Sequence, residues 1–234
     1  MGEYVLYNGD STELFDKITS ELSDENIIIV SDPPFNIGYK YDTYEDKMSE
    51  EDYYDMMNYF FGELPCAIIH YPEEQYKISR RINKIPDEII SWVYPSNMNR
   101  QHRDIVMYGV KPDFRKVRQP YREDSAKTRK LLAKGTGGAK IYDWWEINQV
   151  KNTSKEKTEH PCQMPIEVME RLIGILPDDA VIIDPFMGSG TTGVAILNMN
   201  RKQNASRKFI GIEMDAKYYN IAKERIKNAE YCNM

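Results

Sequence analysis

Cysteine is scarce. The 234 residues hold three, Cys66, Cys162 and Cys232, widely scattered and without a Cys-x-x-Cys pair. That set excludes a disulfide frame and a thiolate zinc site, and reads as reduced thiols in a cytoplasmic protein. Long apolar runs are missing too: no stretch approaches the roughly 20 residues of a membrane helix, so no membrane partner is expected. The opening Met1-Gly2-Glu3-Tyr4 lacks the basic start and apolar core of a signal peptide. It also lacks the Ser or Thr that a myristoylation signal requires. No turn carries Gly-Lys followed by Ser or Thr, which disfavours a phosphate-cradling nucleotidase. Internal repeats and low-complexity tracts are absent.

What is present is a folded globular composition, 41% hydrophobic and 12% aromatic, at a length that suits one sizeable α/β domain with a small elaboration. Seventeen Tyr against seven Phe favours half-buried rings with a polar tip, which suits base stacking without demonstrating it. The net charge of −6 is unevenly spread: residues 1–98 carry 7 Lys/Arg against 20 Asp/Glu, residues 99–140 carry 12 against 4, and residues 141–234 carry 12 against 13. A compact basic block between acidic and neutral parts is either the footprint of a phosphate-binding surface or a solvated loop. Charge alone does not separate the two.

The pattern of elements divides the chain at 98 and 158. In the first part Tyr4–Tyr7 reads as a strand running into the Asn8-Gly9-Asp10-Ser11 turn, followed by a helix over about 11–20. Asn26–Val30 is an apolar, β-branched strand covered on both faces, and it stops at Ser31-Asp32-Pro33-Pro34-Phe35. Ser49 caps a helix reaching Phe61, and Ala67–His70 and Glu88–Val93 read as strands. The middle part has weak periodicity, with Asp104–Tyr108 as a further candidate strand of the core sheet. In the last part a helical stripe over 165–176 precedes a buried strand, Ala180–Ile183. Then come Asp184-Pro185-Phe186-Met187-Gly188-Ser189-Gly190-Thr191-Thr192, a helix over about 191–198, a strand Lys208–Glu213 and a closing helix over 215–229. Alternating strands and helices predict a doubly wound, mostly parallel, Rossmann-like α/β sheet.

Two segments carry chemistry. A buried strand ending in Asp184, then Gly188-x-Gly190 opening a helix, gives a ligand close access to backbone N–H groups at a sheet's carboxyl edge. One strand later, Glu213 is placed to accept from both hydroxyls of a ribose. The alternative is a tight strand-to-helix turn with no ligand. At Asp32-Pro33-Pro34-Phe35 two prolines fix an extended backbone that donates no N–H. The Pro33 carbonyl and the Asp32 carboxylate then form a pair of acceptors suited to a planar amino group, and Phe35 offers a stacking ring. The alternative there is a rigid strand-terminating turn.

Asp-Pro-Pro-Phe followed much later by Asp-Pro-Phe-x-Gly-Ser-Gly-Thr-Thr resembles the amino-methylating (adenine-N6 or cytosine-N4) DNA methyltransferases. The order, with the catalytic motif before the cofactor motif and a basic segment between, resembles their permuted β group. Matching positions run from Asn8-Gly9-Asp10-Ser11 to Glu213 and Tyr218, with His160-Pro161-x-x-Met164-Pro165 preceding the cofactor motif. The resemblance implies S-adenosylmethionine as cofactor, lying along Asp184 to Thr192 with Phe186, Gly188, Ser189 and Gly190 at its methionine portion and Thr191 and Thr192 closing the loop. It implies Glu213 at the ribose, Asp10 at the cofactor's adenine amino group, and His160 and Pro161 in the pocket wall, with Asp32 counted in both sites. Asp10 as a turn former and His160 as a structural histidine stand as alternatives.

By the same resemblance the base's amino nitrogen attacks the sulfonium methyl in line, on a base flipped out of the duplex. Asp32, Pro33, Pro34 and Phe35 hold that base, and neither metal nor covalent nucleophile is called for. Cys162 is read as a packing residue. Asp32 favours adenine where Ser would favour cytosine, and Phe35 departs from the more frequent Tyr. Residues 99–158 form the target-recognition region between the catalytic half (1–98) and the cofactor half (159–234) of one core. Within it Arg100, Arg103, Arg115, Arg118, Arg122 and Arg129 are candidates for double-stranded DNA, with Trp144 and Trp145 as structural anchors. A cytosine-N4 enzyme, an RNA adenosine methyltransferase and a catalytically silent DNA-binding subunit are the alternatives. The resemblance also admits a homodimer and a cognate restriction endonuclease as partners.

Overall fold

A computed structural model describes residues 3–38, 46–96 and 99–231; Cys232 lies outside the described residues. Eight strands form one sheet. They are β1 (Tyr4–Asn8), β2 (Ile27–Ser31), β3 (Cys66–His70), β4 (Glu88–Val93), β5 (His102–Tyr108), β8 (Trp144–Glu146), β9 (Val181–Asp184) and β10 (Lys208–Glu213). Two short strands, β6 (Arg118–Gln119) and β7 (Ala139–Lys140), pair separately. The helices are α1 (Ser11–Glu21), α2 (Glu50–Phe61), α3 (Pro72–Arg81), α4 (Ala126–Ala133), α5 (Ile166–Ile175), α6 (Thr191–Gln203) and α7 (Ala216–Tyr231).

The sheet order is β1-β10-β9-β2-β3-β5-β4-β8. Strands β1, β10, β9, β2 and β3 run parallel, β5 is antiparallel to both its neighbours, and β8 pairs parallel with β4. From β2 the chain winds one way through β3, and from β9 it winds the other way through β10. The reversal falls between β2 and β9, where the register pairs Ile29 with Ile183. Open α/β sheets bind ligands in the crevice outside the carboxyl ends of the strands at such a point.

The apolar runs explain the layers. Successive side chains of a strand point to opposite faces. Ile28 and Val30 pack on one face with α5, α6 and α7, while Ile27 and Ile29 pack on the other with α1, α2 and α3. Both faces are covered, so β2 reads as continuous hydrophobic sequence instead of an alternating one. No described helix is long and apolar enough to cross a membrane.

The basic segment is not a free insert at its ends. β5 lies inside the sheet between β3 and β4, and β8 closes the sheet's edge. Only the stretch between them, with α4 and the β6–β7 pair, stands apart from the main sheet. Of the two tryptophans, Trp145 is fully buried and donates Nε1–H to the Tyr142 carbonyl at 2.6 Å, as an anchor would. Trp144 is 44% exposed.

Candidate active site

Asp32 and Asp184 stand side by side at the ends of β2 and β9, because those strands pair in parallel register. Both open into one cavity of about 390 Å³, whose wall also includes Asp10, Pro33, Phe35, Phe186, Gly188, Ser189 and Glu213. The segment 32–35 and the glycine-rich turn, 149 or more residues apart in the chain, therefore share a single site.

The glycine-rich turn is knotted from within. Asp184, only 3% exposed, accepts from the Ser31 hydroxyl (2.8 Å) and the Phe186 N–H (3.1 Å) on Oδ1, and from the Thr192 hydroxyl (2.6 Å) on Oδ2. Burial raises its pKa to about 6 against the pull of those bonds. Gly188 has φ 51°, and a Cβ there would come within 2.9 Å of His160 Nε2. Glu213 bridges the turn, accepting from Gly188 N–H at 3.0 Å and Asp215 N–H at 2.8 Å. Burial raises Glu213 to about 6, opposed by those two N–H groups and helped by Asp215 and Asp184. The Ser189 carbonyl and hydroxyl accept from Arg225 of α7 at 2.6 and 2.9 Å.

Gly190 differs from the expectation that both glycines serve a ligand. It does not line the cavity. It caps α6 with φ 76°, and a Cβ there would sit 2.8 Å from the Ala222 Cβ. Its smallness lets α6 and α7 meet. Pro161 also stands off the wall, its carbonyl taking Lys157 Nζ at 3.1 Å. His160 is on the wall, its ring edge-on to Tyr218 at 4.6 Å. Burial, with Lys157 and Arg225 adding repulsion, lowers its pKa to about 4, so the ring is neutral near pH 7. Asp10 lines the cavity but also caps α1, Oδ1 accepting from the Thr12 N–H and hydroxyl, both at 2.8 Å. Cys162, read as a packing residue, is instead exposed at the cavity.

The catalytic-loop side is arranged differently. Asp32 has an 18% exposed side chain, and its Oδ1 is buried without a hydrogen-bond partner. Burial raises its pKa to about 6; Arg103 pulls it down and Asp184 pushes it up. The Pro34 carbonyl is occupied by the Tyr53 hydroxyl at 2.9 Å. Among the described residues no hydrogen bond reaches the Pro33 carbonyl, which leaves it and Asp32 Oδ1 as the two open acceptors.

Four residues outside the sequence reading support this loop. Tyr71 N–H donates to His70 Nδ1 at 2.8 Å, so the neutral ring carries its proton on Nε2, 2.8 Å from the Tyr53 hydroxyl. His70 is kept neutral by burial, with Arg103 and Arg100 adding to the effect, its pKa falling to about 3. The His70 ring lies 4.2 Å from that of Phe35, and Tyr71 meets Phe35 edge-on at 5.0 Å. Asp46, 1% exposed, accepts from the Asn36 and Ile37 N–H groups at 2.8 and 3.1 Å. Only His70 left a trace in the sequence, a histidine ending an apolar strand; Tyr53, Tyr71 and Asp46 carried no motif.

The candidate DNA-binding arginines scatter. Arg103 is not on the surface: its side chain is 15% exposed, stands 3.6 Å from Asp32, and lies over Phe35 at 4.7 Å. Antiparallel β5 starts where parallel β3 ends, which brings Arg103 to the edge that bears Asp32. Arg100 pairs with Glu73, Arg115 with Asp113, and Arg129 with Asp124. Arg118 lies on β6, and Arg122 lies over the rings of Tyr142 and Trp144 at 5.9 and 5.8 Å.

The chain is 27% identical over 237 residues to the Type II methyltransferase M.HpaI of Haemophilus parainfluenzae, covering 90% of this chain and 71% of the relative. Its fold aligns with the M1.HpyAVI–SAM complex at a TM-score of 0.62 and 22% identity, covering 95% of this chain and 98% of the other. It aligns with the cytosine-N4-specific PvuII DNA methyltransferase at 0.64 and 17%, covering 96% and 86%. The family model described as DNA methylase, N6/N4 type, matches residues 27–224. That span takes in the Asp32 loop, the buried sheet and the glycine-rich turn, and the chain belongs to the N6/N4 DNA methylase family, whose methyl donor is S-adenosylmethionine.

Proposed function

We propose that this protein moves the methyl group of S-adenosylmethionine to the N6 amino nitrogen of an adenine flipped out of double-stranded DNA. The observation that carries the reading is Asp32 Oδ1, a buried acceptor without a partner, in one cavity with Gly188 and Glu213. A buried lone acceptor is costly to leave unmade, and an amino hydrogen supplies the missing bond. Asp at this position, by resemblance, favours adenine over cytosine.

The cavity suits the cofactor. Asp10, Glu213 and Asp215 line it, an anionic set that complements a ligand with a sulfonium and an ammonium charge. Glu213 would take the ribose hydroxyls, Asp10 the adenine amino group, and Gly188 with Ser189 the methionine end, between the Phe186 and His160 walls. When bound, S-adenosylmethionine supplies an electrophilic methyl group.

The chain's own part is positioning. Asp32 Oδ1 and the Pro33 carbonyl accept the two amino hydrogens and turn the nitrogen lone pair toward the cofactor pocket. Phe35 offers its face to the base, held by His70 behind it. Fixed acceptors in a water-poor site supply rate without covalent chemistry. Residues between β5 and β8, with Arg118 on β6, Arg122 in the bend after it and Arg129 on α4, form the target-recognition surface. A place in a cytoplasmic restriction–modification system follows from the likeness to M.HpaI.

The test is incubation with tritiated S-adenosylmethionine and either DNAs or RNAs of varied sequence, followed by nucleoside analysis. Label in N6-methyl-2′-deoxyadenosine is expected. Label only in N4-methylcytosine overturns the adenine assignment, and label in RNA alone overturns DNA as substrate.

A further inference from the structure

Arg103 lies in the place that a target base would need. A guanidinium is a plane bearing amino nitrogens, and this one has its centre 4.7 Å over the Phe35 ring and Nη1 3.6 Å from the Asp32 carboxylate. Stacking on an aromatic face beside that carboxylate is what a flipped adenine or cytosine would do with its own plane and amino group. The His70 ring also packs against Phe35, at 4.2 Å between centroids. With His70 and Arg103 both against that ring, a base stacks on Phe35 only if Arg103 moves.

The fit is incomplete in a telling way. At 3.6 Å the pair is an ion pair beyond hydrogen-bond range, Asp32 Oδ1 lacks a partner, and Arg103 Nε is buried without one. Arg103, whose Nη1 also donates to Met164 Sδ at 3.7 Å, therefore neutralises Asp32 and fills the space while leaving Asp32 Oδ1 and its own Nε unpaired. An amino-bearing base would give Asp32 the hydrogen bond that Arg103 does not, so exchange recovers part of what displacing a stacked cation costs.

We propose that Arg103 is a placeholder for the target base: its guanidinium occupies the base slot in the free protein, holds the Asp32 carboxylate paired, and is exchanged for the flipped base when DNA binds. This rests on the methyltransferase reading above. It makes Arg103 a positioning residue within the site, not one of the arginines that contact phosphate on the surface.

The experiment compares two duplexes, one carrying the methylated site mapped by the tritium assay and one with that single base removed. Both are titrated with S-adenosylhomocysteine present. In the unsubstituted protein, entry of the base must displace Arg103, so the two duplexes bind with similar affinity. In Arg103→Met, which keeps the length of the stem, the preference for the base-containing duplex should rise on the order of tenfold, the equivalent of about 1.4 kcal/mol. Arg103→Lys, charged but not planar, should give a smaller rise in the same direction. Equal weakening of both duplexes marks a phosphate contact, and weaker binding of the base-containing duplex alone marks direct base reading; either overturns the proposal. Melting and cofactor titration check that the variants fold. If neither folds, NMR of the unsubstituted protein decides, with faster solvent exchange of the Arg103 Nε–H expected on the base-containing duplex only, and unchanged exchange overturning the idea. Absence of any methylated nucleoside sinks the enzymatic reading and the placeholder together, whereas methyl transfer with an unchanged preference sinks the placeholder alone.

Discussion

Asp32 and Asp184 end adjacent parallel strands, face one cavity and are both raised to about 6 by burial. Their surroundings nevertheless assign them opposite work. Asp184 has donors on both oxygens, from Ser31, Phe186 and Thr192, all belonging to the protein's own scaffold. Asp32 has one loose cation and an empty Oδ1. Burial makes each carboxylate expensive, and hydrogen bonds decide whether that expense is settled within the fold or held for a ligand. The glycine-rich turn is thus a finished structure. The Asp32 loop is rigid around an unfinished one.

The sharpest way to break this contrast is to truncate each aspartate. Asp32→Ala should lower turnover on the order of 10³-fold or more, as loss of a fixed polar group at the reacting atoms does. Cofactor affinity, measured by calorimetry, should stay within about threefold, roughly 0.7 kcal/mol. Equal loss of cofactor binding would erase the division between the two sides. Asp184→Ala should act through the fold instead, stranding two buried hydroxyls and an N–H. A loss of about 3 kcal/mol is expected, seen as a melting temperature lower by roughly 6–12 °C for a chain of this size. A variant that melts normally yet fails to bind cofactor would mean that Asp184 touches the ligand directly.

Legibility in the sequence follows the same line. The sheet was readable because both its faces are covered, so β2, β9 and β10 appear as unbroken apolar runs. The two motifs were readable because Pro33-Pro34 and Gly188-x-Gly190 restrict or free the backbone at fixed spacing. Helix α3 was missed because its first residue is Pro72, after a Tyr71 that makes no side-chain cap. Helix α4 hid behind a capping box built on Ser125 and Thr128, without the usual Glu or Gln. Helix α6 runs past the expected end near Asn198 to Gln203, where Asn204 takes the left-handed conformation that closes it. The helix-packing part of Gly190 was illegible because sequence cannot distinguish a glycine that admits a cofactor from one that admits a helix. Arg103 was placed on DNA because it lies near the start of a basic block; only the antiparallel pairing of β5 with β3 brings it beside Asp32.

A milder probe is pH, which separates the two sides without mutation. Asp32 must be ionised to accept both its share of the amino hydrogens and the positive charge that develops on the nitrogen. Its pKa is raised to about 6, so turnover at saturating cofactor should fall as pH drops through 6, about tenfold per unit below it. Glu213, also at about 6, should impose its own acid limb on cofactor affinity, because protonation converts one of its acceptors into a donor. His160 and His70, lowered to about 4 and 3, are neutral across this range and should add nothing above pH 5. Measuring turnover and cofactor affinity separately between pH 5 and 8 distinguishes the two limbs. A turnover profile flat down to pH 5 would show that Asp32 is not the acceptor.

The smallest expected effect tests whether the rigidity around Asp32 matters to chemistry or only to folding. The Tyr53 hydroxyl receives the His70 Nε2–H and donates to the Pro34 carbonyl, so one oxygen ties the double-proline turn to the ring that backs Phe35. Tyr53→Phe keeps the aromatic packing of α2 and removes that oxygen. Stability should fall by about 1–2 kcal/mol, for two groups left unpaired in a partly buried setting. If the tie merely stabilises, turnover at a temperature well below melting should match the parent. If it holds Pro33 and Asp32 in register, turnover should drop about fivefold, roughly 1 kcal/mol of lost positioning, with cofactor affinity unchanged because the His70 and Pro34 bonds of Tyr53 belong to the catalytic-loop side. The second outcome is expected, since the Pro34 carbonyl directly follows the Pro33 carbonyl proposed to take an amino hydrogen, and a carbonyl released by its partner rotates its neighbour's peptide plane.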